Sequence, residues 1–416
     1  MNAMSSTMLS VAVLAAWSLA PQATANEVSR PPAAFSVLVV PTVQHAHDDI
    51  WARTPNGRGP ATAGVGTVLR GQPVHVLVFT TGFALSGDGF AEASYRVRSI
   101  RPDGSPGAAS DELRLIPRLA LGNAQQVRKA ADYIGWVAEK EDALGEWTIK
   151  VEATDKVSGA TAQHAVKFNV VDNEILAAPL PADTEIGQWL MRYHLRPVPH
   201  ELLAAFRHVA AQPPSNRKPR PDHEDGAWLG FVEQVLADNA WLLPHFVARL
   251  EHAMGREREL LAVALAYAKR DDPKFIAELP VSIRAGVAAH APTVWPTAAV
   301  GPLTPSYLDV LWGRFFASAR FAPLHELTGF LAFHPFKDAL DDYGKSDPKP
   351  FPIPSDAYKS ATFRAAVWSL RSNIEQHKTV RDYCEGILIR KELPEDQLPW
   401  LGAMFNAAVK RPSSLK

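Results

Sequence analysis

The apolar residues of this 416-residue chain change their spacing part-way along. Up to Val171 they alternate with polar residues, which is the period of a strand with one buried face. From Thr184 onward they recur every third or fourth position, the period of a helix with one buried stripe. A pattern written for one period leaves its apolar residues scattered around an element of the other. The chain is therefore expected to fold as a layered β domain over residues 26–173, followed by an all-helical domain over 174–416. Its length exceeds what one ordinary core serves. Hydrophobic residues at 47% and charged residues at 21% supply material for two cores and lie far from the composition of disordered chains.

In the first part, Trp147, Ile149, Val151 and Ala153 alternate with polar residues. The turn formers of 155–159 follow, and then Val166, Phe168 and Val170 share one face, so the two runs read as a hairpin. Residues 35–40, 74–80 and 95–100 read as further strands, with 101–105 a Pro/Gly turn. Short strands at regular spacing imply two packed sheets. The run from Gly145-Glu146-Trp147 to Val171-Asp172 resembles the closing hairpin of bacterial immunoglobulin-like modules. That resemblance covers only the first half of the chain and lacks the two core cysteines of antibody-type domains. It implies an Ig-like β-sandwich and no function.

In the second part, Thr304 and Pro305 read as the N-cap and first residue of a helix that places Tyr307, Leu308, Leu311, Trp312, Phe315 and Phe316 on one stripe. A helix from Ser355 is expected to bury Phe363, Val367, Leu370 and Ile374. Others are expected over 199–211, 226–239, 241–253, 256–269, 281–290, 324–333, 379–390 and 395–409. Ala264, Trp312 and Trp368 are each followed twelve residues later by an apolar residue opening the next helix, Ile276, Leu324 or Val380. This leaves two readings open, a stacked array of helical hairpins and an irregular bundle. Residues 212–221, which are basic and Pro-rich, and 344–354, with four prolines, read as loops.

An apolar run over 9–20 is too short to span a bilayer, and Ala23-Thr24-Ala25 after it has the small-x-small pattern of a signal peptidase site. Cleavage is expected after Ala25, although no Lys or Arg precedes the run. The longest later uncharged stretch, 285–308, is broken by prolines, so no membrane span is expected. The mature chain is therefore read as periplasmic or secreted.

With 43 Lys and Arg against 44 Asp and Glu, no net field favours nucleic acid. The single cysteine, Cys384, excludes intramolecular disulfides and multi-thiolate metal sites and reads as a buried, inert thiol. His45-x-His47-x-Asp49 resembles the start of the metallo-β-lactamase zinc motif, but Ile50 stands where that motif continues with histidine. The segment reads as a loop with its polar residues in water. His325-Glu326 lacks a second histidine one turn on, where Gly329 stands, and reads as an ordinary amphipathic helix. His223-Glu224-Asp225 reads as helix capping. Of the tryptophans, Trp147, Trp312 and Trp368 are expected in cores. Trp51, Trp136, Trp295 and Trp400, near loops, are the ones available to stack on a sugar.

No catalytic, cofactor-binding or metal-ligating residues are assigned, and no cofactor is expected. The leading expectation is a non-catalytic envelope protein that binds another envelope protein, with its oligomeric state left open. The rivals are a hydrolase of envelope peptide or polysaccharide, with its site in the helical half or a domain cleft, and a module binding sugar or lipid.

Overall fold

A computed structural model describes residues 34–55, 59–60, 62–212, 226–269, 271–290, 305–346 and 354–409. The expected leader, Trp295, Thr304, the His223-Glu224-Asp225 cap and most of the two Pro-rich loops lie outside the described residues. The chain divides into two compact units. Of the described residues, one unit comprises those from 34 to Gln44 and Ala63–Ala178, and the other those within His45–Thr62 and from Pro179 onward.

The first unit holds two sheets. One is built from β1 (Ser36–Thr42), β3 (Val74–Thr81), β7 (Arg128–Lys129) and β8 (Ile134–Trp136), with β3 between β1 and the two short strands. The other runs β2 (Thr67–Leu69), β10 (Thr161–Val171), β9 (Gly145–Asp155), β4 (Phe90–Ile100), with β5 (Pro106–Ala109) and β6 (Leu113–Ala120) both on the far edge of β4. All pairings are antiparallel except β2 on β10. Val37, Val39, Val76 and Val78 from the first sheet and Tyr95, Trp147, Ile149, Val151 and Phe168 from the second share one core. The alternation read along 147–153 is observed directly, since Trp147, Ile149, Val151 and Ala153 are buried and their neighbours face outward. The hairpin register pairs Phe168 with Trp147 and Val166 with Ile149. Its turn is held by the Asp155 carboxylate, which accepts from the Val157 amide, the Ser158 hydroxyl and the distant Ala84 amide. Trp136, expected near the surface, is half-buried and sits edge-on to Trp147 and Phe168.

The second unit is helical. It begins with α1 (His47–Arg53) and continues with α2 (Ile186–Arg192), α3 (Leu202–Ala211), α4 (Gly226–Asp238), α5 (Leu243–His252), α6 (Gly255–Ala268), α7 (Pro273–Glu278) and α8 (Val281–Ala289). After these come α9 (Pro305–Ser318), α10 (Phe321–Gly329), α11 (Ala339–Lys345), α12 (Ser355–Gln376), α13 (Lys378–Arg390) and α14 (Leu398–Val409). The helices expected from periodicity are present to within a turn. α7 carries Ile276, expected to open a helix, while three short ones, α1, α2 and α11, are not announced, because seven residues hold too few apolar positions to show a period. Among the described residues no helix is long and apolar enough to cross a membrane.

The central contact is the crossing of α4 and α9. Gly226 and Gly230 lie one turn apart on α4, and a Cβ at Gly230 would stand 2.1 Å from the Val310 carbonyl oxygen. A Cβ at Gly313 of α9 would stand 2.0 Å from the Ala227 carbonyl oxygen. The two backbones therefore touch where any side chain would hold them apart. Around this point α9 is buried nearly on all sides, including every residue of the expected stripe from Tyr307 to Phe316. Arg314 closes one flank with a two-pronged ion pair to Glu233 at 3.0 to 3.2 Å.

Trp368 departs from expectation: it is 74% exposed. The buried stripe of α12 runs through Phe363, Ala366, Leu370 and Ile374, with Val367 half-buried, and Trp368 lies two residues, or about 200°, from both Ala366 and Leu370. The regularity linking Ala264, Trp312 and Trp368 therefore does not extend to burial, since the first two are enclosed.

Replacing Gly313 with alanine should destabilise the chain by about 3 kcal/mol or more, because neither backbone can give way cheaply. The same change at Gly286, in α8 with nothing near its missing Cβ, should be neutral or stabilising by up to about 1 kcal/mol. Urea unfolding of the two variants reads both effects, and equal midpoints would show that the crossing tolerates a methyl group.

Candidate functional site

The segment carrying His45-x-His47-x-Asp49 turns at His45 and becomes helical from His47, packed into the second unit, where a solvated loop was expected. Asp48 and Asp49 in the first turn and Arg53 in the last complement the helix dipole, and Thr54 closes the end by donating to the Ile50 carbonyl at 2.6 Å. Ala46, His47 and Ile50 are buried, which drives the docking. Of the three residues, His45 stands in the turn before α1, and His47 and Asp49 lie in its first turn. Among the described residues no group of three His, Cys, Asp or Glu side chains is arranged to hold a metal.

The polar atoms of this segment instead meet the turn between α9 and α10. Ala319 in that turn is fully buried with φ +59°, a left-handed conformation that costs a non-glycine residue roughly 1 kcal/mol or more. It is held in place from three sides. Its amide donates to the Phe315 carbonyl at 2.7 Å, its carbonyl accepts from the Tyr383 hydroxyl at 2.8 Å, and the Ser318 hydroxyl accepts from the Arg320 amide at 3.1 Å. The N-terminus of α10 has no cap from its own preceding residue. Asp49 supplies a carboxylate there, accepting the Phe321 amide at 3.0 Å across 272 residues of sequence.

Arg53 lies with its guanidinium carbon 3.3 Å from the centroid of the Phe321 ring and donates to Glu392 at 2.5 Å. Burial works to raise the Glu392 carboxyl, but hydrogen bonds from Arg390 and Arg53 outweigh it and hold the group below its usual range. Arg320 pairs with Asp238 at the end of α4 at 2.7 Å, and His45 lies in the field of that pair. Burial lowers the His45 imidazole, with Asp238 opposing and Arg320 assisting. The seam thus gathers ionisable groups from α1, α4, α10, α13 and the residues after it, and couples them to one another and to helix ends.

Other singled-out residues are placed plainly. His325 and Glu326 lie on α10 with Leu324 and Leu327 fully buried, and Glu326 accepts the Tyr307 hydroxyl at 2.6 Å. Cys384 is fully enclosed in α13, and burial pushes its thiol up to about 12. Trp51 and Trp400 are half-buried, and Trp400 packs edge-on against Phe363. In the first unit a polar basin of about 170 Å³ is lined by Ser94, Tyr95, Arg96, Glu112, Glu152, Thr154 and Lys156. The hydrogen bond from Lys156 leads the effects holding the Glu112 carboxyl low, so it stays ionised and fits poorly as a proton donor.

Sequence reasoning did not find the residues completing the seam, Asp238, Arg320, Phe321, Tyr383 and Glu392. Ala319 carries no sequence signal, since alanine does not announce a left-handed turn. The glycines of α4 and α9 do carry one, because Gly226-x-x-x-Gly230 within a good helix pattern implies close backbone approach.

No protein-family model matches this chain, and no curated protein matches it. Among solved structures, one described by its work on glycolipid glycan hydrolysis by a family 123 glycoside hydrolase from Clostridium perfringens is similar. The likeness covers 42% of this chain and 34% of that one, at 11% identity and a TM-score of 0.21. This chain spans about a third of that protein's length, and a likeness of this size carries no argument.

Substituting Asp49 with alanine should cost about 1 kcal/mol through the lost cap. Arg53→Ala should cost about 2 kcal/mol through the lost charged hydrogen bond and ring contact. Both are read as lowered midpoints in thermal unfolding of the full chain, and unchanged midpoints would mean that the docked segment contributes nothing to stability.

Proposed function

We propose that the chain is an exported, non-catalytic protein of the cell envelope whose role is to bind and organise another envelope protein. The observation that carries this reading is the use made of its most chemically suggestive residues. Asp49 caps a helix, Arg53 clamps Glu392, and Arg320 pairs with Asp238. Side chains that would be candidates for chemistry are employed in holding one part of the chain against another.

Export rests on the apolar run and small-x-small site that end at Ala25. The two sheets around a shared core, with the long β9–β10 hairpin, support reading the first unit as an Ig-like sandwich of the bacterial kind. The parallel β2–β10 pairing is the feature of that unit that the resemblance did not anticipate. Trp368, 74% exposed on the helical unit, is among the described residues the large aromatic side chain best placed to meet a partner.

Three measurements test this reading. Sequencing the N-terminus of the fractionated protein should give Asn26 as first residue in the soluble envelope fraction, and a cytoplasmic chain beginning at Met1 would overturn export. A photo-crosslinking amino acid placed at position 368 in living cells should yield one discrete adduct with a second envelope protein. Hydrolysis of envelope peptide or polysaccharide by the purified chain would overturn the non-catalytic assignment.

A further inference from the structure

Two imidazoles from distant parts of the sequence meet inside the helical unit. His194 follows α2 in a single 3-10 turn, Tyr193–Leu195, and His377 is the one residue between α12 and α13. They are 1% and 7% exposed, and their ring centroids are 5.5 Å apart. Phe316 packs against both, at 5.7 and 5.0 Å, and Phe315 lies 5.6 Å from His194. Trp312 stacks on the Phe316 ring at 5.6 Å. The surroundings are thus rings of the buried helix α9. Among the described residues the His377 Nε2 atom has no hydrogen-bond partner.

The charges near this box are those of a site built for neutral rings. Arg192, from α2, acts on His377 and opposes its protonation, and His377 in turn opposes that of His194, while the Met191 backbone favours it. Four further charged groups on the adjoining elements have partners outside the box. Lys378 pairs with Asp382, Arg371 with Glu375 and Arg314 with Glu233, while Arg381 donates to the Ile374 and Glu375 carbonyls. His377 also stands at the positive end of α13, which disfavours a cation there.

The corner that His377 forms is tied to the docked segment. Lys378, the next residue, donates both to Asp382 at 2.5 Å and to the Gly59 carbonyl at 3.2 Å. Moving the corner therefore moves an anchor of residues 45–62.

We propose that His194 and His377 together form an acid-operated switch, in which their protonation opens the corner between α12 and α13 and loosens the docked segment. Two cations cannot share a dry aromatic box beside Arg192, so the protonated state is the one in which the rings reach water. Burial, reinforced by the neighbouring charge in each case, sets the folded-state values at about 3 for His194 and about 4 for His377, against about 6.5 in an opened state. Both values are depressed, so the opened state binds more protons. The closed form is fully favoured above about pH 6.5 and loses its advantage as pH falls through the window below that value. Each imidazole shifts the equilibrium by up to about tenfold per pH unit, which amounts to roughly two-thousandfold for the pair between pH 6.5, where the opened-state rings are already half protonated, and pH 4.5.

The test uses the full chain, its His194→Phe and His377→Phe variants, and the double variant, each keeping a ring in the box. The dependence of the opening or unfolding constant on pH, followed by far-ultraviolet circular dichroism, counts the protons taken up between pH 6.5 and 4.5. Each single substitution should lower that count by about one, and the double by about two. Equal counts in all four proteins would overturn the switch. Should the variants fail to fold at pH 7.5, hydrogen–deuterium exchange at the imidazole C2 positions of the wild-type chain decides the matter by mass spectrometry. Rings titrating well below 6.5 support the proposal, and rings titrating near 6.5 in the folded protein contradict it.

Discussion

The backbone contact between α4 and α9 is the constraint on which the rest of the helical unit depends. Glycine at 226, 230 and 313 lets the two helices meet with no side chain between them. That closeness buries α9 on nearly every side and brings Trp312, Phe315 and Phe316 to where His194 and His377 can pack on them. It also fixes where the two helices end. The last residues of α4 present Asp238, and the turn after α9 presents Ala319, Arg320 and Phe321. The docked segment is received by those ends, so a contact without any polar group determines where the polar groups gather.

The gathering follows from the cost of burying charge. An ionised group taken from water needs a counter-charge or several hydrogen bonds. Arg53 has Glu392 and a ring face, Arg320 has Asp238, and Asp49 has the open amide of a helix start. The left-handed Ala319 is affordable because Tyr383, Ser318 and Phe315 hold the turn together. The histidine box solves the same problem in the other way, by keeping its rings uncharged. Exposed pairs in the sheet unit, such as Arg114 with Asp132, contribute little by comparison.

Much of this fold was legible along the chain and little of the seam was. The strand from Trp147 and the helix from Pro305 declare themselves because each buries a face whose period runs unbroken for several turns or pleats. Trp368 misled because its neighbour Val367 and the residues of the real stripe tolerate two ways of drawing the buried face, and only packing against the neighbouring helices chooses between them. His45-x-His47-x-Asp49 misled for a different reason. Its meaning turns on whether the segment is extended or helical, and that depends on burial of Ile50 and on the bond that Asp49 accepts from the amide of Phe321, 272 residues on, neither of which the local sequence shows. The His194–His377 pair has no local signal, since its two members are 183 residues apart and each follows an unremarkable helix.

Amide hydrogen exchange of the native full chain at neutral pH tests most directly the claim that the α4–α9 crossing organises the helical unit and holds the segment at 45–62. Peptides from α4 and α9 should be the slowest to exchange in that unit, and residues 47–53 should be protected along with it. Exchange of 47–53 at the rate of an unstructured peptide, with α4 and α9 no slower than the outer helices, would contradict the account.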